Sequence, residues 1–208
     1  MIFKEFMIKN ADFWNERYAS ADYVFGREPN EYFKTRIDKL NIGKILIPAA
    51  GEGRDAIYAA CKGWDVFAFD QSRVAQKKAL ELAKNNGVKI HYSVCDMEDF
   101  IMRENEYDSI AVIYFHLMPE QRSRFFKKVR NSLKNNGTLI LEAFNVMQLN
   151  NSSGGPKEIE MLLSKDILSG EFSSLQIIEN TEEEIILSEG GGHSGKADVV
   201  RFMARKFY

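Results

Sequence analysis

Short β-rich runs alternate with segments of helical periodicity, and this alternation restricts the possible folds more than any other feature of the chain. The runs are KILIPA (Lys44–Ala49), DVFAFD (Asp65–Asp70), KIHYSV (Lys89–Val94), SIAVIYF (Ser109–Phe115) and TLILEAF (Thr138–Phe144). Between them RDAIYAACK, SRVAQKKALELAKNN and PEQRSRFFKKVRNSLKNN carry apolar residues at helical spacing. Ser72 reads as an N-cap, and Gly87 and Gly137 as left-handed helix stops. Unbroken apolar strands such as SIAVIYF are buried on both faces, and the right-handed crossover rule stacks them into a parallel sheet. The reading is an α/β fold with a doubly wound, mostly parallel sheet.

After Phe144 the pattern changes. A polar loop (Asn150–Glu158) leads to a helical stretch from about Pro156 to Leu168, then to two strand-like runs, SLQIIEN and EEEIILSE. The glycine cluster EGGGHSG (Glu189–Gly195) precedes a last strand, ADVVRFMARKF. With no helix between them, these strands finish one edge of the same sheet, at least one of them antiparallel. At 208 residues and 45% hydrophobic positions, one domain over 1–208 is expected: an N-terminal segment 1–43, a core 44–145 and a C-terminal part 146–208.

Charge and cysteine content narrow the function. Thirty acidic and 28 basic residues balance to -2, and no Lys/Arg block forms a nucleic-acid footprint. Cys61 and Cys95 stand outside any CxxC pair, and His91, His116 and His193 are far apart, so neither a metal cage nor a disulfide framework is legible. The opening MIFKEFMIKN never reaches a signal-peptide core, and no apolar run approaches membrane-spanning length. These features point to a soluble cytoplasmic protein with a small-molecule partner, and away from nucleic acid and membrane.

Gly51, Gly53 and Ala56 satisfy G-x-G-x-x-A directly after the first strand, where glycines let the backbone approach a ligand and a helix N-terminus offers N–H groups. Asp70 ends the second strand where an acid accepts ribose hydroxyls. Both NAD(P) and S-adenosylmethionine carry that ribose. Glu52, between the glycines, would repel a pyrophosphate and tolerate a sulfonium cation. Asp96, past the third strand, suits either an adenine amine or a helix N-cap, with Met97 over the base.

FWNERYASADYVFGREPNEYF, AAGEGRDAIYAACKGWDVFAFDQS, YDSIAVIYFHL and GGHSGKADVVRFMARK together resemble class I S-adenosylmethionine-dependent methyltransferases, in particular the tellurite-resistance-type and thiopurine-methyltransferase-like branch. The resemblance covers nearly the whole chain. It implies a seven-stranded Rossmann-like sheet with an antiparallel edge strand, S-adenosyl-L-methionine as cofactor, and methyl transfer to a small acceptor, a soft sulfur, selenium or tellurium nucleophile among them. By position it assigns Gly51, Gly53 and Arg54 to the methionine side, Asp70 with Gln71 to the ribose, and Asp96 with Met97 to the adenine. It also implies an N-terminal segment folding over the cofactor; Trp14, Arg17, Tyr18, Tyr23 and Phe25 crowd that segment, and the rings there suit either a cover over the sulfonium or a hydrophobic staple fastening an arm to the sheet. Two departures stand out: Ile47 and Ala49 occupy places where the family has an acid and a glycine. Ala49 is tolerable there with ordinary backbone dihedrals.

Ends of the fourth strand border the ligand crevice in such sheets, which puts Phe115 and His116 near the transferred methyl. His116 suits a proton acceptor or a histidine bonded to backbone. His193, in the glycine cluster, reaches the acceptor if that turn is mobile; an ordinary flexible hairpin explains the glycines equally well. YFHLMPE has no acid-or-Asn-Pro-Pro-aromatic motif of the kind that amino-methylating enzymes use. The alternatives are an NAD(P)-dependent oxidoreductase and an S-adenosylmethionine-binding protein without turnover.

Overall fold

The computed structural model describes residues 10–207; apart from Asn10, the opening decapeptide lies outside them. Two short helices, α1 (Ala11–Arg17) and α2 (Glu31–Ile37), precede the alternation. Then come β1 (Lys44–Pro48), α3 (Arg54–Cys61), β2 (Asp65–Asp70), α4 (Arg73–Asn85), β3 (His91–Val94), β4 (Tyr107–Ile113), α5 (Pro119–Ser132) and β5 (Leu133–Phe144). Two 3-10 turns (Val146–Asn150 and Ile159–Met161), α6 (Lys165–Glu171), β6 (Gln176–Glu189) and β7 (His193–Arg205) follow. The strands form one seven-stranded sheet in the order β3-β2-β1-β4-β5-β7-β6. β1 to β5 are parallel, while β7 runs antiparallel to both neighbours, so the antiparallel strand lies one place inside the edge that β6 forms.

Helical periodicity does what it promises in α4, where Ala75, Ala79, Leu82 and Ala83 are the buried residues and the Ser72 hydroxyl accepts from Ala75 N at 3.1 Å. Helices α2, α3 and α4 cover one face of the sheet against Ile45, Ile47, Ala111 and Ile140. On the other face Phe125, Phe126, Val129 and Phe172 pack on Leu139, Leu141, Val200 and Phe202. Both faces of the central strands are therefore dry, which is why they read as unbroken apolar runs.

Several boundaries differ from the sequence expectation, each for a local reason. β1 stops at Pro48 and β4 at Ile113, because Ala49 and Tyr114 turn to positive φ (47° and 49°). α5 ends at Ser132 rather than at Asn-Asn-Gly; Asn136 takes the left-handed conformation (φ 65°), and Gly137 is needed because a Cβ there would meet the Lys134 carbonyl oxygen at 2.8 Å. Gly87 is left-handed as expected (φ 69°). The helix expected over Pro156–Leu168 is interrupted at Leu162 and Leu163, both buried on the sheet, and restarts only after the Ser164 cap. The two strand-like runs after it form one strand, β6, with a register shift between Ile177 and Glu179. No helix among the described residues is long and apolar enough to cross a membrane.

Candidate active site

Carboxyl ends of parallel strands form the ligand crevice of an open α/β sheet. Here that edge carries the Ala49–Gly53 loop, Asp70, Tyr114 and Phe144, and the β6–β7 turn rises beside it. The loop owes its shape to three left-handed residues, Ala49 (φ 47°), Gly51 (φ 53°) and Gly53 (φ 90°). Ala49 thus does not have the ordinary dihedrals that would make its methyl group harmless; it carries backbone strain. A Cβ on Gly53 would stand 2.6 Å from Ile57 and 2.7 Å from Ala79. The glycine at position 53 thus allows close packing of α3 on α4.

Three side chains converge on Gly51. Its N–H donates to Asp70 Oδ2 (3.0 Å), its carbonyl accepts from Tyr92 Oη (2.7 Å), and a Cβ on it would meet the Tyr18 hydroxyl at 2.9 Å. Asp70 is 7% exposed, takes a second N–H from Ser72 (2.9 Å), and has no basic side chain paired with it among the described residues. Burial raises its pKa despite the backbone N–H groups of Ser72, Gly51 and Gln71. Gln71 follows it, half-buried. Tyr18 is buried, and its hydroxyl is pushed well up by burial and by the charge of Asp70. Trp14 stacks on Tyr18 (5.5 Å, 22°), and Arg17 lies 5.6 Å from the centre of the Phe25 ring.

Glu52 faces the arm, not the crevice: it pairs with Lys78 and accepts from Val24 N (2.7 Å). Lys78 also donates to the carbonyls of Tyr18, Ser20 and Asp22, which fastens the arm to α4. Asp96 is exposed and caps its own turn through Glu98 N (2.9 Å), while Met97 is buried in the core beside Phe69. Of the two readings of Asp96, the local cap is the one this geometry contains. Phe115 packs edge-on against Phe125 (5.2 Å).

The two histidines part company. His116 has Nδ1 3.1 Å from the Met161 carbonyl and Nε2 3.4 Å from Phe144 N, with its ring stacked on Phe144. Both nitrogens face backbone, which is the arrangement of a structural histidine. His193 is 7% exposed and lies within 4.5 Å of the Phe25 ring centre, 4.6 Å of Tyr114 and 5.3 Å of Phe144. Its Nδ1 is 3.2 Å from Glu189 Oε2. Burial lowers the His193 pKa, Arg54 and Arg17 assist, and Glu189 only partly opposes. Burial works to raise Glu189, but the bond from His193 and the Arg54 guanidinium outweigh it and hold the carboxyl below its usual range. A carboxylate facing Nδ1 assigns the ring proton there and leaves Nε2 as acceptor.

Around this pair lies a polar cluster that sequence reading did not assemble. Arg54 donates to Glu189 Oε2 and to the Phe25 carbonyl, both at 3.0 Å, so it spans the β6–β7 turn and the arm. Asn30 donates to Glu189 (3.0 Å) and Glu142 (2.6 Å) and receives its own cap bond from Phe33 N. Glu142, 1% exposed, also accepts from Tyr114 Oη (2.8 Å) and Arg201 Nε (2.6 Å). The one legible signal was an acid inside the apolar run TLILEAF. Tyr114 gave none, since its left-handed φ follows from the tertiary setting.

Two glycines of the cluster, Gly190 and Gly192, are held against the arm. A Cβ on Gly190 would stand 2.5 Å from Gly26 N, and Gly192 N donates to the Val24 carbonyl at 2.8 Å. Glycine there lets the arm and the turn touch backbone to backbone. The 150–157 loop is likewise pinned: buried Gln148 donates to Ser153 Oγ and the Gly154 carbonyl, and Asn151 to Asp198. Gly154 rests against the His193 ring and Gly155 against Phe144.

Comparison with known proteins agrees with this architecture. Residues 45–137 match the family described as a methyltransferase domain. A protein named thiocyanate methyltransferase 1, from Brassica oleracea, is 27% identical over 145 residues, covering 68% of this chain and 63% of its own length; less than two thirds of that relative is therefore spanned. Among solved structures, a protein described for conversion of a disulfide bond into a thioacetal group in echinomycin biosynthesis superposes with a TM-score of 0.74 at 15% identity, over 95% of this chain and 92% of that one. TehB from Haemophilus influenzae gives 0.71 at 17% (94% and 66%), and a SAM-dependent methyltransferase from Methanosarcina mazei 0.67 at 19% (83% and 97%). At such identities the structures establish the shared fold, and the domain match covers the part of the chain from β1 into β5. With its 3-2-1-4-5-7-6 sheet and its glycine loop, the chain shares the fold of these solved structures, and its residues 45–137 match a methyltransferase domain.

Proposed function

We propose that the protein transfers the methyl group of S-adenosylmethionine to a small acceptor with a soft nucleophilic atom, such as a thiol, and that His193 takes the acceptor's proton. The observation carrying this reading is the Glu189–His193 pair, enclosed by Phe25, Tyr114 and Phe144 beside the glycine loop. The cofactor fits the residues present. Among the described residues Asp70 is a buried acid met by the backbone donors of Gly51, Gln71 and Ser72, and a carboxylate keeps acceptor capacity for two sugar hydroxyls after such bonds.

When bound, S-adenosylmethionine supplies a methyl group already activated by its sulfonium. The chain's work is alignment and exclusion of water. Asp70 and the Gly51 turn orient the ligand, and Trp14, Arg17, Tyr18 and Phe25 bring the arm over it. The aromatic walls keep the acceptor dry, and the neutral imidazole of His193 receives the proton on Nε2 as the nucleophile loses it. Glu189 keeps Nδ1 protonated, so that Nε2 presents its lone pair. The relative's name supports a small sulfur-containing acceptor. Balanced charge and a reducing cytoplasm suit such chemistry, without nucleic acid or membrane as partner.

Methyl release from S-adenosylmethionine to a panel of thiols, selenide and phenols tests the reading. Turnover with a thiol that falls by about a hundredfold in His193→Gln supports it. Turnover only with the nicotinamide cofactors, or full activity in His193→Gln, overturns it.

A further inference from the structure

Arg54 follows the second glycine and by position reads as a cofactor contact, yet its side chain points elsewhere. It is 8% exposed at the start of α3 and divides its guanidinium between two elements remote in sequence. One nitrogen donates to the Phe25 carbonyl in the arm, and another to Glu189 Oε2 in the β6–β7 turn. Asp55 lies beside it, its own carboxylate accepting from Asn30 N at 2.7 Å. The oxygen of Glu189 that Arg54 holds is the one facing His193 Nδ1, and the residue it holds in the arm is the one whose ring covers the imidazole.

We propose that Arg54 is a positioning residue for methyl transfer: it clasps the arm and the β6–β7 turn onto the helix behind the glycine loop, and so sets the carboxylate and the aromatic cover that aim His193 at the acceptor. The proposal rests on His193 as the proton acceptor. Its physical basis is that a guanidinium offers five donors in a rigid fork and so can hold two partners at fixed angles, which an ammonium cannot. The charged and titratable groups facing His193 are Glu189 from β6, Arg54 from α3, Arg17 from α1 and Tyr114 from the end of β4, with Glu142 behind Tyr114. Arg54 is thus one of two cations in that set, and its removal is felt at the imidazole as well as in geometry.

The test compares Arg54→Gln and Arg54→Lys with the wild-type chain in three measurements. Calorimetric titration with S-adenosylmethionine should give an affinity unchanged within about twofold, as for a residue that does not touch the ligand. The turnover number should fall at least about tenfold in Arg54→Gln and recover in part in Arg54→Lys, because misaimed groups cost rate rather than binding. Proton NMR of the three histidines, assigned with His→Gln variants, should show the His193 imidazole titrating at higher pH in Arg54→Gln than in the wild type, and close to wild type in Arg54→Lys. Cofactor affinity lost in step with turnover, or an unmoved His193 titration, overturns the proposal. Should Arg54→Gln not fold, Arg54→Lys decides: turnover must fall while cofactor affinity holds, and the reverse pattern refutes the clasp. Full activity of His193→Gln would instead remove the base assignment, while calorimetry and the imidazole titration still judge Arg54.

Discussion

Replacing Ala49 with glycine should stabilise this protein, although it deletes a side chain from the most conspicuous loop of the fold. Ala49 has φ 47°, and an L-residue in that region costs about 1–2 kcal/mol that glycine does not incur. Against this, glycine brings extra freedom to the unfolded chain, worth about 0.4–1 kcal/mol. Ala49 is only half-buried, so little packing is lost with its methyl. The difference leaves a net gain of about 0.5–1 kcal/mol, or roughly 1–4 °C in Tm for a domain of this size. Urea unfolding at equilibrium measures it, with an unchanged slope showing that only stability moved. Gly51→Ala is the opposing control: φ is 53° and the new Cβ would stand 2.9 Å from the Tyr18 hydroxyl, so a loss of about 2 kcal/mol or more is expected. If Ala49→Gly lowered stability by more than about 0.5 kcal/mol, the positive φ at this position could not be sustained.

Further outcomes can be checked with the same protein. Asp70→Ala should weaken S-adenosylmethionine binding by about 1–3 kcal/mol, the usual effect of losing a charge-assisted hydrogen bond; unchanged calorimetric affinity would place the ribose elsewhere. His193 has a folded-state pKa below its ordinary 6.5, so it contributes stability above that pH, and the contribution fades as pH falls through the lower folded value. The urea midpoint of the wild type should therefore drop between about pH 7.5 and 5.5, and that of His193→Gln should drop less; equal drops would contradict the burial of a neutral imidazole. Gly154→Ala puts a Cβ 2.7 Å from His193 Cδ2 at a φ of 122°, so turnover should fall together with Tm. A fully active, equally stable variant would show that the loop does not back the imidazole.

Much of the frame was legible because its causes are local. Apolar runs of six or seven residues, helical spacing of alanines in α4 and the Ser72 cap act over a few positions, and each element is present where the periodicity puts it. The strand–glycine turn–helix–strand–Asp70 unit is local in the same sense, and Asp70 does end β2 with a bond from Gly51. Boundaries were lost where long-range packing overrode local preference, as at Leu162 and Leu163, which extend along the sheet instead of continuing a helix.

What the sequence alone determined, then, is the order of elements and the place of the glycine turn, since hydrophobic period and turn chemistry depend on neighbours a few residues apart. The polar cluster was decided only in three dimensions. Phe25, Asn30, Arg54, Tyr114, Glu142, Glu189 and His193 come from five separate parts of the chain, and nothing in their local sequence says that two acids and an amide will share one buried space with an arginine. The same holds for the glycines: Gly53 answers to Ala79, Gly190 to Gly26 and Gly154 to His193, partners that only folding brings within contact. Burial is what turns these meetings into chemistry, because charges taken out of water must satisfy one another.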